Sequence, residues 1–240
     1  MSDAARLARQ SFLCKPPGIA YAHFVPPSTH LAPIIASIPE AVSDSAYAAI
    51  ISYAEALKGI NHGSISWSIV RLYYSCFYSI RALLLLNKII PFNGGDEMLL
   101  DVLGTALLKG GRSSHHWNWA SLKKVSRLSS TWFISADSQD AYGKLREHRE
   151  NVNYTHSFTD PNLHQCLPIG LTDFAKRFRA YRDDSAFLYT YLSDHLALAY
   201  PTKLIFSLDA DMRAASICLP AEQIDYIATI WSIKDRCPIT

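Results

Sequence analysis

Apolar residues recur at steps of three and four along residues 64–87, SISWSIVRLYYSCFYSIRALLLLN. These steps bring side chains onto one face of an α-helix. A second apolar stripe fills the neighbouring face, so the segment is apolar almost all round. Because such a helix is stable only when other elements cover it, we predict that residues 64–87 form the central, buried helix of the fold.

Helical periodicity and turn signals extend over most of residues 43–200. A helix is predicted to begin at Ser43 or Asp44, whose side chains can accept an orphan backbone N–H, and to end near the Asn-His-Gly turn at 61–63. Four more helices are predicted over residues 96–109, 119–128, 138–154 and 171–198. The predicted fold class is therefore mainly all-α, a helical bundle with long antiparallel helices.

The two ends of the chain have a different pattern. Six prolines punctuate residues 1–42, which predicts a Pro-rich, irregular N-terminal arm with a brief helix at 3–11. The segment TKLIFSLDA, residues 202–210, predicts a strand, and residues 220–233 predict a helix. The chain is thus predicted to have three parts: the arm 1–42, the bundle 43–200, and a small C-terminal α/β-like appendage, 201–240, docked on the bundle.

Composition narrows the class of protein. Hydrophobic residues make up 49% of the 240 residues and charged residues only 18%, below the usual quarter. A surface poor in charge is expected where a partner covers apolar area, and a homodimer is the simplest such partner. The alternative is a larger core or simply a less charged surface. The net charge of +2 excludes a protein that coats nucleic acid but allows local phosphate contacts.

The cysteines and the apolar runs indicate a cytoplasmic location. There are five cysteines with no Cys-x-x-Cys pair, so neither a disulfide framework nor a zinc cluster is predicted. The longest apolar run, 82–90, is too short to span a membrane, and the N-terminus lacks an apolar signal region. His115 and His116 are adjacent and rarely aim at one ion. We expect neither a metal nor another cofactor.

Polar residues form one stripe on the helix predicted at 138–154. Arg149 and His156 are seven residues apart, so they are nearly eclipsed at about 100° per residue. Three further side chains lie within about 60° of that line by the same periodicity: Tyr142, Arg146 and Asn153. An arginine fork binds phosphate and a histidine exchanges protons near neutral pH. Together they suit metal-free cleavage of RNA by its own 2′-hydroxyl.

Three segments carry a resemblance to a known family. The helix RLYYSCFYSIRALLL (71–85), the stretch SSHHWNW (113–119) and the segment LREHRENVNYTHSF (145–158) resemble the HEPN domains (higher eukaryote and prokaryote nucleotide-binding). The last segment resembles the signature helix of that family, an arginine followed after four to six residues by a histidine. The resemblance covers about residues 43–198.

The resemblance implies a dimeric helical bundle that acts as a metal-independent endoribonuclease, a toxin or effector of a bacterial antiviral or toxin–antitoxin system. It implies that Arg149 binds phosphate and that His156 donates or accepts a proton, with a second copy facing them across the dimer axis. RNA would be the substrate and an antitoxin or regulatory protein a possible partner. Glu150 departs from the family pattern. The alternative is therefore a catalytically silent HEPN-like module that binds a partner protein or nucleotide.

Several polar residues have structural interpretations as well. Arg146 and Arg149 could complement the helix dipole or pair with glutamates, and Arg71 and Arg81 are interpreted as structural arginines in a buried helix. The tyrosines at 73, 74 and 78 are expected to be core aromatics. Two basic clusters are candidates for contacting an RNA backbone, or are ordinary solvated faces: Lys123, Lys124, Arg127, Lys176 and Arg177.

Overall fold

A computed structural model describes residues 2–20, 23–24, 26–94, 97–111, 115–155 and 174–230. These residues contain ten α-helices and one small sheet: α1 (Asp3–Leu13), α2 (Ser28–Ala36), α3 (Ile38–Asn61), α4 (Ile65–Leu86), β1 (Ile89–Asn93), β2 (Glu97–Asp101), β3 (Ala106–Lys109), α5 (Trp119–Lys123), α6 (Ala136–Glu150), α7 (Phe174–Arg182), α8 (Leu188–Tyr191), α9 (Leu196–Ala214) and α10 (Ala221–Ile230). The prediction of a mainly α-helical fold with a small β element is confirmed.

The chain divides into two compact units. The first comprises Met1–Ser45 and Arg81–Ser135, and the second comprises Ala46–Ile80 and Ala136–Thr240. The boundaries fall within α3 and α4, so each of these helices contributes to both units.

The first unit is built around an antiparallel sheet with strand order β1-β2-β3. Helix α1 packs on α2 and on β1. The helix predicted over 96–109 is wrong, because this segment forms β2 and β3, joined by a turn in which Asp101 accepts the Gly104 backbone N–H at 2.9 Å. All five residues of β2 are buried, and a short, fully buried run has no periodicity that separates a strand from a helix.

The first 42 residues are more regular than their prolines predict. They contain α1, α2 and the start of α3, which begins at Ile38 instead of Ser43. Pro39 lies in the first turn of α3, where a missing backbone N–H costs no helical hydrogen bond. Pro33 lies inside α2, a helix of only nine residues.

The second unit holds most of the helices. Helix α9 packs on α7 and α8, and α6 contacts α8 and α9. The strand predicted over 202–210 is wrong, because these residues belong to α9, a helix that is buried continuously from Leu196 to Thr202 and on one face beyond. The single helix predicted over 171–198 is also wrong. Asp184 interrupts it by accepting the backbone N–H groups of Leu188 and Thr190 at 2.8 and 2.9 Å, which starts α8 as a separate element.

The central helix is confirmed at Ile65–Leu86, within one residue of the prediction at each end. Up to Ile80 its side chains belong to the core of the second unit, including Ile69, Leu72 and Tyr73, each 0% exposed, and its last turns give the first unit Leu83 and Leu84, also 0% exposed. By length and composition, this helix would pass for a membrane span, but 72% of its apolar window is buried inside the fold. Burial of this kind is expected of the core helix of a water-soluble domain.

Candidate functional site

One line of side chains along α4 is more exposed than its neighbours, and it consists of aromatic and basic residues. Steps of four, three and four residues connect Trp67, Arg71, Tyr74 and Tyr78. Trp67 is 53% exposed and the other three are half-buried, and the rings of Tyr74 and Tyr78 stack with centroids 6.2 Å apart. Tyr73 is a core aromatic, as expected, whereas Tyr74 and Tyr78 are only partly buried and Tyr74 packs against the core from its edge. We call these four residues the α4 strip.

Helix α6 lies against this part of α4 through two tyrosines. The hydroxyls of Tyr73 and Tyr142 are 2.9 Å apart and form a buried hydrogen bond, with ring centroids at 5.5 Å. Burial raises the pKa of Tyr73 to about 12, although the Tyr142 hydrogen bond and the Arg149 charge oppose it. Burial also raises the pKa of Tyr142. Both phenols therefore stay protonated near neutral pH, and Tyr142 lies in the core beneath the polar stripe.

Arg149 is held against the same tyrosines. It is 9% exposed, its Nη2 donates to the Tyr74 hydroxyl at 3.3 Å, and its Cζ lies 5.6 and 5.8 Å from the ring centroids of Tyr73 and Tyr74. A guanidinium over an aromatic face is attracted by the ring quadrupole. The head group of Arg149 is thus fixed beside the α4 strip instead of extending into water.

Arg146 and Glu150 form a separate pair on α6. Arg146 Nε lies 3.6 Å from Glu150 Oε1 across one helical turn, and both side chains are partly exposed. Surface pairs at this spacing contribute only a few tenths of a kcal/mol. The carboxylate that departs from the family pattern nevertheless lies beside a positive charge, which reduces the repulsion that it would exert on a nearby phosphate.

The α-helical periodicity ends at Glu150. Residues Asn151–Thr155 form a π-helical turn, in which each residue turns through less than the α-helical angle because the hydrogen bond spans five residues. Val152 anchors this turn in a cluster with Ile69 and Val70, and Asn153 is half-buried. The predicted helix to residue 154 is therefore α-helical only as far as Glu150, and His156 lies outside the described residues.

The candidate backbone-binding cations have different surroundings. Lys123 and Lys124 are exposed at the end of α5. Arg127 is engaged within its own unit, because it donates to both carboxylate oxygens of Asp101 at 3.1 and 2.5 Å and to the Asn87 carbonyl at 3.0 Å.

The remaining candidate cations and structural arginines lie on other elements. Arg177 is half-buried on α7 and forms a hydrogen bond with Tyr181. Burial raises the pKa of Tyr181, and the hydrogen bond with Arg177 opposes that rise. The side chain of Lys176 lies outside the description. Arg81 donates to the Pro91 carbonyl at 3.4 Å, which agrees with the structural interpretation, and Arg71 pairs with Glu55.

A concave surface that the sequence does not reveal lies where α3 ends and α4 begins. It is lined by Glu55, Lys58, Gly59, His62, Ser64, Trp67, Ser68 and Arg71. By its spacing, Trp67 belongs to the apolar stripe of α4. The serines at 64 and 66 beside it, exposed and half-buried, are a sequence signal that this first turn faces water, whereas Ser68 is buried.

Two further findings concern metal binding and similarity to known proteins. Among the residues that the structure describes, no three His, Cys, Asp or Glu side chains are grouped so that they could hold a metal ion. A comparison with known proteins finds no matching family model, no matching curated protein and no matching solved structure. The HEPN resemblance therefore remains a prediction that rests on the sequence segments alone.

Proposed function

We propose that the protein is a HEPN-like, metal-independent endoribonuclease that cleaves RNA by attack of the 2′-hydroxyl on the adjacent phosphate. The observation that carries the proposal is the placement of Arg149, fixed on two tyrosine rings at the edge of the partly exposed α4 strip. Phosphate and RNA bases are bound by arginine and by aromatic faces, and both are present on this surface.

The chemistry assigns one role to each residue of the pair. Arg149 binds the scissile phosphate and stabilises the negative charge that grows on its oxygens in the transition state. Because its guanidinium is already oriented, little reorganisation is needed when RNA binds. His156 transfers a proton, either from the 2′-hydroxyl or to the leaving 5′-oxygen. A second subunit would supply the other proton-transfer group, so the active species is a homodimer.

The biological setting follows from the resemblance. Such an enzyme would act in the bacterial cytoplasm as the toxin or effector of an antiviral or toxin–antitoxin system. An antitoxin or regulatory protein would then restrain it.

One observation favours a second candidate, a catalytically silent module that binds a partner protein or nucleotide. Arg149 is only 9% exposed and is already bonded to Tyr74, which is also what a structural arginine would do. The two candidates differ in a single measurable property, which is cleavage of RNA.

The test compares the wild type with His156→Ala, with His148→Gln as the matched control on the same segment. Each protein is incubated with total RNA and transfer RNA in EDTA. We expect cleavage by the wild type and by His148→Gln, with 2′,3′-cyclic phosphate or 3′-phosphate ends, and none by His156→Ala. Equal cleavage by His156→Ala, or no cleavage by folded wild type, would overturn the ribonuclease and leave the binding module.

A further inference from the structure

At the concave surface where α3 ends and α4 begins, the backbone allows the two helices to approach each other closely. Gly63 adopts a positive φ of 77°, and the Ser64 N–H donates to the Gly59 carbonyl at 2.8 Å across the turn. A Cβ on Gly59 would collide with Ser68 Oγ, so a larger residue there would force the Ser68 hydroxyl to turn away. As a result, Lys58 in the last turn of α3 and His62 in the turn that follows lie beside the first turns of α4, with Trp67 and Arg71.

The side chains on this surface combine one large exposed ring with positive charge. Trp67 is 53% exposed, although a tryptophan is usually largely covered. Lys58 is exposed, and Arg71 keeps 41% of its side chain exposed while it pairs with Glu55. Lys58 and Arg71 against Glu55 leave a net charge of +1.

His62 is held in one orientation at the rim. Its Nδ1 lies 2.7 Å from the Lys58 carbonyl, and since a carbonyl only accepts, Nδ1 carries the hydrogen. In the neutral imidazole, the opposite ring nitrogen, Nε2, is then the hydrogen-bond acceptor.

We propose that this surface is a subsite for one unpaired nucleotide of single-stranded RNA, whose base stacks on Trp67 while Lys58 and Arg71 contact its phosphate. An exposed aromatic ring can bind any base by stacking, and neighbouring cations neutralise the backbone. Bases inside a duplex have no free face to offer, so the subsite selects single strands.

The position of the subsite connects it to the proposed cleavage site, and in this respect the inference rests on the proposed function. Trp67 and Tyr74 are seven residues apart on one face of α4, about 10 Å along the axis. Arg71 lies between them, and the hydroxyl of Tyr74 accepts a hydrogen bond from Arg149. A short single strand stacked on Trp67 can therefore follow the α4 strip to the phosphate at Arg149.

The experiment measures binding without cleavage. A short fluorescein-labelled oligothymidylate lacks the 2′-hydroxyl and cannot be cut by the proposed reaction, so its anisotropy reports affinity alone. We expect Trp67→Ala to raise Kd about 5- to 150-fold, the range of one lost base–aromatic stack. Trp67→Phe, which keeps a ring, should lose less. The control Tyr226→Ala removes an aromatic side chain of matched exposure, 52%, from α10 and should leave Kd unchanged.

The charge contribution is tested separately. The logarithm of the binding constant falls with the logarithm of salt concentration by about 0.7 per phosphate neutralised on a single strand. Lys58→Ala should therefore reduce this slope by about 0.7. The duplex of the same length should bind more weakly than the single strand, and Trp67→Ala should abolish that difference.

The outcomes separate this inference from the nuclease. An unchanged Kd for Trp67→Ala, or no binding of oligothymidylate by the wild type, overturns the subsite even if RNA is cleaved. A Trp67-dependent Kd in a protein that cuts no RNA supports the subsite and overturns the nuclease. Light scattering on Trp67→Ala gives its mass in solution. A loss of the wild-type oligomer would make Trp67 an interface residue and overturn the subsite, whereas an unchanged mass supports it.

Discussion

The guanidinium of Arg149 donates to the hydroxyl of Tyr74 at 3.3 Å, while its Cζ lies 5.8 Å from the centroid of the same ring. One tyrosine thus fixes both the direction and the depth of the arginine. Since Tyr74 is half-buried on α4, the arginine of one helix is positioned by a residue at the border between core and surface of another. A phosphate ligand that is oriented before substrate binds is what the proposed reaction requires.

Arg149→Lys should reduce RNA cleavage about 100-fold or more, because a lysine ammonium cannot form two parallel bonds to a phosphate or stack on two rings. Tyr74→Phe keeps the ring and loses the hydroxyl, so cleavage should fall about tenfold as the arginine becomes less well oriented. Initial rates on a fluorogenic RNA, with circular dichroism to show that both variants are folded, provide the measurement. Wild-type rates for folded Arg149→Lys would show that this arginine is structural.

Tyr73 and Tyr142 join α4 to α6 by their buried hydroxyl pair. Tyr142→Phe should lower the free energy of unfolding by about 1–3 kcal/mol, because a buried hydroxyl loses a partner. Tyr73→Phe should cost a similar amount, and the double variant should cost less than the two together, with a coupling of about 0.5–3 kcal/mol. Urea unfolding of the four proteins gives this cycle. Strictly additive losses would mean that the two hydroxyls do not interact in solution.

Two glycines should respond to alanine in opposite directions. Gly143 lies inside α6, and a Cβ added there would meet no heavy atom within 4 Å, so Gly143→Ala should stabilise the protein by about 0.5–1 kcal/mol through helix propensity. Gly59 faces the buried Ser68, which hydrogen-bonds the Ser64 carbonyl, so Gly59→Ala should destabilise it by about 1–3 kcal/mol, because the displaced hydroxyl loses that buried hydrogen bond. Thermal unfolding of both variants checks the pair. A stabilised Gly59→Ala protein would contradict the close approach of α3 and α4.

The sequence predicts best where one periodicity extends over many turns. Residues 64–87 have six turns of apolar steps, and α4 follows them closely. Residues 96–109 have two short apolar runs without a period, and their strand character depends on pairing with β1 and with each other, for example Leu99 with Pro91 and with Leu108. Residues 202–210 look like a strand by composition, but packing against α7 and α8 favours a helix.

The candidate site divides in the same way. Regular α-helical spacing correctly places Tyr142, Arg146 and Arg149 on one helix, α6. The α-helical spacing does not extend through the π-helical turn that follows Glu150. Local sequence propensity does not predict such a turn. The sequence pattern does not identify Trp67 as a surface residue because a tryptophan in an apolar helix usually belongs to the core, whereas in the structure it is 53% exposed.

Arg127 should stabilise the protein instead of binding RNA. Its two bonds to Asp101, which is 5% exposed, and its bond to the Asn87 carbonyl join the end of α4 to the end of β2. Arg127→Ala would leave a buried carboxylate without this partner, and we expect a loss of about 3 kcal/mol. Lys124→Ala, at an exposed position nearby, is the control and should change stability by less than about 0.5 kcal/mol. Equal stabilities of the two variants, measured in urea, would contradict this role.

Glu97 should make the stability of the fold depend on pH. Its carboxyl group is buried at the start of β2, and burial raises its pKa above the usual 4.5, although the Arg81 charge opposes the shift. A folded state that binds the proton more tightly than the unfolded chain loses stability as pH rises from 4.5 through the folded pKa. Glu97→Gln, which has no charge to bury, should therefore remove this part of the pH dependence and raise the free energy of unfolding at neutral pH. Urea unfolding at a series of pH values compares the two proteins. If the wild type gained stability relative to Glu97→Gln as the pH rose through this range, the pairing with Arg81 would outweigh the burial of the carboxylate.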